Sequence, residues 1–563
     1  MASEESRVPT ARNPSVTHVA KTSQRLILTV LVAMTFGSLA MRYPTGHEVG
    51  VDSFAIHTMA ESIVVAGDAA WILSPLSYFG LYPVSYASAG PFLLASLSLL
   101  TGIEIEGSIL VSSLLLGVAG ILTSYMMARE FRRTGSFALI VAFVYGFAPR
   151  FLASNLWQAS TRNLFMALLP LFVWALLRFQ RQRSPKNLVV GIVIVAVLAA
   201  SHHLVILALV MAVALLFSLI LRKGYHVLRT VRPGLVMKAT QLGFVRLAGF
   251  TAALVVGVGF LIGTNVLPQY NTGELLSGNS LQVELFNLAV SITRSVGLTA
   301  LMAIVGLLYT PWMRSVAVPE SFAIAGLIAL APTLLFRDYT GFYILPFLSL
   351  FAAYGLVGLS TRLRSRPRAL RILALGLCAA ILVTSGTILE YEVAHNPPIS
   401  GTTYSAGTYL GVIAGNATVV CNEAVTCSRV AAVGGIRILP PAAGSASDPS
   451  PEALIFGFYS SGEIRNRIVR APFDDLRFDT TLLWTVADIN PLNDYIVVVQ
   501  SPMNRIPATV STRYNPLYYL ETSSGIGVFY GSDGRSYPSA LSTSLHDGAY
   551  VIYADGAETV WLI

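Results

Sequence analysis

Long apolar segments separated by short polar turns occupy most of the chain, from Leu26 to about Leu389. A helix needs about 20 predominantly apolar residues to cross a bilayer, and these segments approach that length. Eleven crossings are predicted, at approximately residues 26–41, 108–127, 136–149, 164–177, 188–201, 204–221, 247–266, 292–310, 319–336, 341–360 and 370–389. The pattern therefore predicts an all-α membrane domain over residues 26–389, preceded by a polar N-terminal tail over residues 1–25.

The sidedness of every later loop depends on whether one further apolar stretch, residues 86–101, crosses the membrane. Counting it as a crossing would invert every later loop and place the arginine-rich loops outside. We interpret it as an interfacial or re-entrant helix within a first outer loop that covers residues 42–107.

Composition and charge agree with this organisation. Hydrophobic residues make up 54% of the 563 residues and charged residues 12%, against about 25% charged in a soluble domain. One set of alternate loops carries 23 Lys and Arg residues, the other set carries 5, and the C-terminal region carries 9. Cytoplasmic loops are the Lys- and Arg-rich ones, so the N-terminus is expected in the cytoplasm and the C-terminus outside. The net charge of +8 then requires no nucleic-acid partner.

Residues 390–563 read as a soluble, extracytoplasmic domain of α/β type. Short β-rich runs at Thr418–Cys421, Tyr495–Val499 and Ile526–Tyr530 alternate with turn signals, and Ser405–Ala414 has a helical pattern. Cys421 and Cys427 are the two cysteines of this domain. An outside location permits a disulfide between them, and a pair of buried free thiols is the alternative.

The densest group of polar residues on the outer side runs from His47 to Glu61. Helical spacing from Ser53 places His57 and Glu61 on one face, with Asp52 at the N-cap. Asp52 could act as a general base or as a metal ligand at the membrane surface. The alternative is that Asp52 only caps an amphipathic interfacial helix.

Several segments resemble GT-C glycosyltransferases. The first outer loop, with its acid, helix and Tyr-Pro segment, is similar to theirs, and so are a basic turn after the second crossing and a late arginine followed by a Pro-containing crossing. The matching stretches are Asp52–His57, Tyr78–Pro83, Arg129–Arg133, Ala148–Pro149, Arg337–Phe347 and Ala352–Gly355. The resemblance covers the membrane half in order and implies a membrane enzyme that transfers a sugar from a polyprenyl-phosphate donor to a glycan, lipid or protein acceptor.

The resemblance also implies roles for individual residues. Asp52 becomes either the base that activates the acceptor or a metal-binding acid. In a metal-independent transferase, Glu48, His57 or Glu61 would be its helpers. Arg337 becomes the cation that stabilises the leaving phosphate, and its alternative role is an interfacial anchor paired with Asp338.

Three further residues are secondary candidates. Arg162 is a second outer cation that could bind the donor phosphate. His202 and His203, near the outer end of the fifth predicted crossing, could bind substrate or could hydrogen-bond between helices.

Two departures from the oligosaccharyltransferase relatives narrow the expected activity. Their outer WWDYG motif has no counterpart here, and the nearest string, Leu483–Asp488, lacks its pattern. Residues 150–163 contain no acid, which disfavours a metal site shared by the first two outer loops. A metal-independent sugar transferase is therefore expected, while a divalent ion such as Mg²⁺ or Mn²⁺ stays open.

The sequence leaves two other classes of function open. A transporter or flippase for lipid-linked sugars would carry acids or broken helices at mid-span, whereas the charges here cluster at the outer ends. A catalytically inactive membrane scaffold would use the outer domain to bind a partner.

Overall fold

The computed structural model describes most of the membrane region and the strands that follow it. The described residues are 14–42, 45–67, 69, 81, 85–231, 290, 292–309, 318–330, 341–363, 365, 367–395, 398–413, 418–421 and 424–439, together with the strands between 469 and 562. The predicted crossing at 247–266, the candidate Arg337 and most of the segment Tyr78–Pro83 lie outside these ranges.

Helices account for nearly all of the membrane region that the structure describes. They are α1 (Pro14–Met41), α2 (Val51–Ala66), α3 (Ala89–Thr101), α4 (Ile105–Phe131), α5 (Gly135–Gly146), α6 (Pro149–Ser154), α7 (Thr161–Gln182), α8 (Pro185–Ser201), α9 (Ile206–Val231), α10 (Thr299–Tyr309), α11 (Val318–Leu330), α12 (Gly341–Arg362) and α13 (Pro367–His395).

Five stretches of these helices are long and apolar enough to cross a membrane: Gln24–Met41, Ile105–Phe131, Thr161–Gln182, Gly341–Arg362 and Arg371–Ala394. Shorter apolar helices include α3, α5, α8, α10 and α11. The expectation of a helical membrane protein is therefore confirmed. The count of eleven crossings stays a prediction.

Two helices differ in extent from their sequence patterns. Helix α1 begins at Pro14, within the predicted tail, because proline is well tolerated in the first turn of a helix and nothing after it interrupts the helix. Helix α3 has 13 residues, which gives a length of about 20 Å against a hydrocarbon core of about 30 Å. Helices α5 and α11 have 12 and 13 residues, so this length does not distinguish α3 from predicted crossings, and the placement of residues 86–101 stays a prediction.

The C-terminal region contains α14 (Gly401–Ile413), α15 (Ala424–Gly434) and several strands. The strands are β1 (Thr418–Cys421), β2 (Arg437–Leu439), β3 (Val469–Arg470), β4 (Asp479–Val486), β5 (Tyr495–Ser501), β6 (Ile506–Val510), β7 (Pro516–Thr522), β8 (Val528–Tyr530), β9 (Ser536–Pro538), β10 (Tyr550–Ala554) and β11 (Glu558–Leu562). One sheet has the order β10-β11-β7-β1-β2, in which β1 is parallel to both β2 and β7. A second has the order β3-β4-β5-β6, and β8 pairs with β9.

The chain divides into two compact units. The first contains residues 1–41, 117–148 and 215–382, and the second contains residues 42–116, 149–214 and 383–563. The second unit contains the predicted first outer loop. A hydrophobic core in this unit is formed by α2, α3, the start of α4 and the segment before α7. This core contains Ile56, Met59, Ala60, Ile63, Leu81, Leu94, Ala95, Ile105, Ile109, Trp157 and Ala159.

In the first unit, α10 and α12 approach each other at two glycines. A Cβ atom on Gly306 would overlap the backbone of Phe351 and Gly355, and one on Gly355 would overlap the backbone of Met302 and Gly306. Small residues permit this close approach of membrane helices, which dispersion contacts then stabilise.

We expect Gly306→Ala to separate α10 from α12, because the added methyl group meets backbone and not a mobile side chain. Overpacking of this kind costs roughly 1–3 kcal/mol. Thermal unfolding of the purified protein in detergent would show a lowered Tm. Gly376→Ala in α13, where a Cβ meets nothing within 4 Å, is the matched control. Equal Tm values for the two variants would contradict the expectation.

Candidate functional site

Helix α2 begins differently from the sequence prediction, and this difference sets the position of Asp52. The N-cap is Gly50, with φ 86° and ψ 157°, and Asp52 lies in the first turn of the helix. The prediction that Asp52 is the N-cap was wrong. Glycine is required at residue 50 because this backbone conformation is essentially closed to other residues. A Cβ there would lie 2.8 Å from Oε1 at the end of the flexible Gln158 side chain.

Hydrogen bonds on both sides of Asp52 fix it to the segment that precedes α7. The Val49 backbone N–H donates to the Trp157 carbonyl at 2.9 Å. The Ala159 N–H donates to the Ser53 hydroxyl oxygen at 2.6 Å. Asp52 lies between these two connections, so its backbone has little freedom relative to residues 157–159.

The same segment positions Arg162 at the start of α7. Ser160 is the N-cap, and its hydroxyl accepts from the Arg162 backbone N–H at 3.2 Å. The Asn163 amide donates to the Gln158 carbonyl at 2.7 Å. As a result, Arg162 Nη2 lies 3.9 Å from Asp52 Oδ2, with 35% of the Arg162 side chain and 68% of the Asp52 side chain exposed.

Asp52 and Arg162 border a cavity with a volume of 290 Å³. Arg150 of α6 and Glu392 of α13 also line it, as does Gln158. The volume is near the lower end of the range of about 300–1,000 Å³ that is typical of small-molecule sites. The cavity thus combines two carboxylates with two guanidinium groups, which suits a ligand carrying both hydroxyl and phosphate groups.

The predicted helpers Glu48 and His57 form a buried pair beneath this turn. His57 Nδ1 lies 2.6 Å from Glu48 Oε2, and both side chains are almost fully buried. Burial by itself lowers the pKa of His57, but the charge and hydrogen bond of Glu48, with the charges of Glu61 and Glu106, raise it above the ordinary value. Among the described residues, Glu48 and His57 do not line the cavity, and neither does Glu61, which lies one turn further along α2.

The turn before α2 also contacts the start of the C-terminal region. The Ile399 N–H donates to the Glu48 carbonyl at 3.2 Å, and Val49 forms an antiparallel bridge with Pro398. The ring of His47 stacks on Tyr404 of α14 with centroids 4.4 Å apart.

A second contact joins α2 itself to α15. The guanidinium carbon of Arg429 lies 5.5 Å from the centroid of the Phe54 ring. Phe54 is buried together with Ile399 and Ala432. Residues 47–54 are therefore held between the α7 entry and the helices α14 and α15.

His202 and His203 follow α8 and stack on each other with centroids 4.7 Å apart. His203 Nδ1 lies 2.8 Å from the Tyr86 hydroxyl. Burial holds the pKa of His202 well below its ordinary value, and the neighbouring His203 and Arg162 lower it further. Burial and Arg162 lower the pKa of His203 to about 4. Both rings are neutral at pH 7 and can each donate and accept one hydrogen bond.

The structure therefore brings Asp52 and Arg162 together, as expected of a shared site. Cys421 lies on β1 and Cys427 on α15, and their pairing stays a prediction. Sequence reasoning missed Arg150 and Glu392 as cavity residues. Both lie at predicted outer ends of apolar segments, where a charged residue is costly and is itself a signal of function.

The donor groups around Asp52 determine whether the site could hold a metal ion. Across the residues that the structure describes, no three His, Cys, Asp or Glu side chains gather at a position suited to a metal ion. The charged group beside Asp52 is a guanidinium, which would compete with a cation for that carboxylate. The donor set on the described residues does not fit a resident metal.

Three solved structures share the overall fold. The oligosaccharyltransferase of Archaeoglobus fulgidus in complex with Zn and sulfate has a TM-score of 0.52 and 14% identity, covering 88% of this chain and 68% of that one. The archaeal oligosaccharyltransferase AglB from the same organism, in complex with an inhibitory peptide and a dolichol-phosphate, gives 0.53 and 13%, covering 93% and 75%. ArnT from Cupriavidus metallidurans in the apo state gives 0.51 and 13%, covering 96% and 98%. This chain therefore shares the fold of these three proteins.

Identities this low establish a shared fold alone. A family model described as a 6-pyruvoyl-tetrahydropterin synthase related domain, membrane protein, matches residues 82–244. No curated protein matches the chain significantly. The resemblance found in the sequence is thus confirmed for the fold, and the family model agrees with a membrane protein.

We expect Gly50→Ala to displace the turn that carries Asp52, since the new residue would be both strained and in contact with Gln158. The strain costs about 1–3 kcal/mol. A lowered Tm in detergent would measure it. The control is Gly46→Ala, four residues earlier, where a Cβ meets nothing within 4 Å. A Gly50→Ala variant as stable as this control would contradict the required backbone conformation.

The raised pKa of His57 predicts a pH-dependent stability. The Glu48–His57 ion pair stabilises the folded state fully below the unfolded pKa of about 6.5 and is lost as the pH rises through the folded pKa. His57→Gln should therefore lower the free energy of unfolding by roughly 1–3 kcal/mol in mild acid and by less in alkali.

Measuring Tm against pH for the wild type, His57→Gln and Glu48→Gln would check this expectation. Glu48→Gln removes the carboxylate charge and should weaken the same pH dependence. A difference between wild type and His57→Gln that stays constant across the pH range would count against the ion pair.

Proposed function

We propose that this chain is an integral membrane glycosyltransferase that transfers a sugar from a polyprenyl-phosphate donor to an extracytoplasmic acceptor. The observation that carries the proposal is the approach of Asp52 to Arg162 within a charged cavity of a GT-C fold. A general base and a phosphate-binding cation are the two groups that such a transfer needs side by side.

The topology proposed for the enzyme has eleven crossings, a cytoplasmic N-terminus and an outer α/β domain over residues 390–563. The excess of Lys and Arg in one set of alternate loops supports this orientation. It would put Asp52 at the outer membrane surface, where a polyprenyl phosphate presents its sugar.

The proposed reaction is a displacement at the anomeric carbon of the sugar. An acceptor hydroxyl attacks that carbon while the bond from the carbon to the phosphate oxygen breaks. Asp52 takes the hydroxyl proton, and the polyprenyl phosphate leaves with the bonding electron pair. The exposed carboxylate of Asp52 in the cavity supports its role as base.

The leaving phosphate gains negative charge, which cationic side chains stabilise. Arg162 and Arg150 both line the cavity and are proposed to bind this phosphate. Arg337 is proposed as a third phosphate ligand on the basis of its sequence context. The dolichol-phosphate present in the AglB complex supports a lipid-phosphate donor here.

Glu48, His57 and Glu61 are proposed to position Asp52 and not to touch the substrate. Glu48 precedes the turn at Gly50, and His57 follows it on α2. The hydrogen bond between them therefore joins the two sides of this turn, which supports the role. His202 and His203 are proposed as secondary substrate-binding residues near Arg162. A neutral imidazole can form a hydrogen bond with a sugar hydroxyl, which lowers the free energy cost of burying that hydroxyl.

A divalent cation such as Mg²⁺ or Mn²⁺ is not assigned a step. The Zn in the Archaeoglobus oligosaccharyltransferase shows that a protein of this fold can be crystallised with a metal. The acceptor is proposed to be a glycan, lipid or protein that the outer domain helps to position.

Transfer of radiolabelled sugar from polyprenyl-phosphate donors to membrane acceptors tests the proposal on purified protein. Asp52→Asn should lower the rate about 10²–10⁴-fold, the usual contribution of a general base. Arg162→Gln and Arg337→Ala should each lower it up to about 10²–10³-fold, as expected for a lost oxyanion contact. Parallel reactions with EDTA measure any metal requirement.

Glu104→Gln, an exposed acid of the same loop outside the cavity, is the matched control, and Tm values of all variants separate lost chemistry from lost folding. Full activity of Asp52→Asn would remove Asp52 as the base. Absence of transfer by the wild type across a broad donor panel would favour a flippase or a scaffold.

A further inference from the structure

A large apolar groove lies in the first unit. Four helices line it, α1, α5, α12 and α13, and its volume is 830 Å³. Its polar lining residues are Ser360 and Cys378, and the Ser360 hydroxyl donates to the Val357 carbonyl at 2.8 Å. The groove therefore offers almost pure hydrocarbon contact.

Two of the helices that border this groove, α1 and α13, are largely exposed. Only 11% of the α1 membrane stretch and 17% of the α13 stretch are buried. Leu28 and Phe36 on α1, and Ile372 and Leu375 on α13, are largely exposed. In a bilayer these surfaces contact acyl chains, so a hydrocarbon chain is the natural occupant of a groove beside them.

The relative directions of the helices follow from three contacts. A Cβ on Gly135 would meet Ile27, and one on Gly37 would meet Phe147, so α1 and α5 run in parallel. The rings of Phe137 and Tyr354 lie 4.8 Å apart. The C-terminal half of α12 therefore lies beside the start of α5.

Arginines gather at this one end of the groove. Arg25 precedes the lining residue Val30 on α1, and Arg362 follows the lining residue Ser360 on α12. Arg368 and Arg371 lie in the first turns of α13, which starts five residues after Arg362. All four arginine side chains are exposed. The other end of the groove lies at Met41, Phe147 and Leu382. Arg42, which follows Met41, is fully buried, so it is not exposed to a headgroup as the four arginines are.

We propose that this groove is a binding site for an anionic phospholipid, with one acyl chain in the groove and the headgroup phosphate beside Arg362, Arg368 and Arg371. Basic residues next to a cleft between membrane helices are a recurring way to hold anionic headgroups. The charge at one end and the apolar lining above it match the two parts of such a lipid. This site is independent of the proposed sugar transfer.

Native mass spectrometry of the full-length protein with phosphatidylglycerol, or with phosphatidylcholine of the same chain length, tests the site. We expect the wild type to retain phosphatidylglycerol preferentially. Each of Arg368→Gln and Arg371→Gln should lower its retention about fivefold, as expected from the contribution of one basic residue near a headgroup. Arg181→Gln, an exposed arginine at the end of α7, is the matched control and should change nothing.

The groove itself is tested by Ala374→Phe, which fills it from α13, against Leu375→Phe at the adjacent exposed position outside the lining. Ala374→Phe should lose the lipid and Leu375→Phe should retain it. Equal retention of both phospholipids by the wild type, or equal retention of phosphatidylglycerol by these two variants, would overturn the proposal.

A measurement on the unaltered protein covers the case in which Ala374→Phe fails to fold. Phosphatidylglycerol with a diazirine in its acyl chain should crosslink to α1, α5, α12 and α13 around Cys378, and unlabelled phosphatidylglycerol should compete. Crosslinks spread evenly over exposed lipid-facing residues such as Leu188 and Ile192 of α8, or competition by polyprenyl phosphate in place of the phospholipid, would overturn it.

Discussion

The hydrogen bonds from Val49 to Trp157 and from Ala159 to Ser53 are the constraint on which the candidate site depends. They tie two segments that are about a hundred residues apart in sequence, one carrying Asp52 and the other Arg162. Because the two side chains meet at 3.9 Å across this junction, small movements of either backbone would separate them. Catalytic groups need such fixed placement, since misalignment by about 1 Å costs orders of magnitude in rate.

The buried Glu48–His57 pair constrains the turn at Gly50 that precedes the exposed Asp52. The Glu48–His57 pair is desolvated, and a buried ion pair contributes little net stability compared with apolar packing. The pair nevertheless requires one geometry, because loss of either partner leaves the other buried without an opposite charge beside it. The pair thus favours one conformation of the turn at Gly50, and Glu106, which accepts from the Glu48 N–H at 3.2 Å, adds to this preference.

Much of the helical membrane fold could be predicted because span length and hydropathy are local properties of the sequence. Asp52 was a candidate from the sequence because it belongs to the densest polar group on the predicted outer side, and its role stays a proposal. The N-cap at Gly50 could not be predicted, because the turn is fixed by a hydrogen bond from Val49 to Trp157, far along the chain. Arg150 and Glu392 were missed for the same reason: only the packing of α6 and α13 brings them to one cavity.

The contacts of residues 47–54 with α14 and α15 link the chemistry to the C-terminal region. His47 stacks on Tyr404, and Phe54 lies under Arg429, on either side of Asp52. The proposed base is therefore connected to α14 and α15 through a few residues. The start of the C-terminal region supports the turn that carries Asp52, together with the segment before α7.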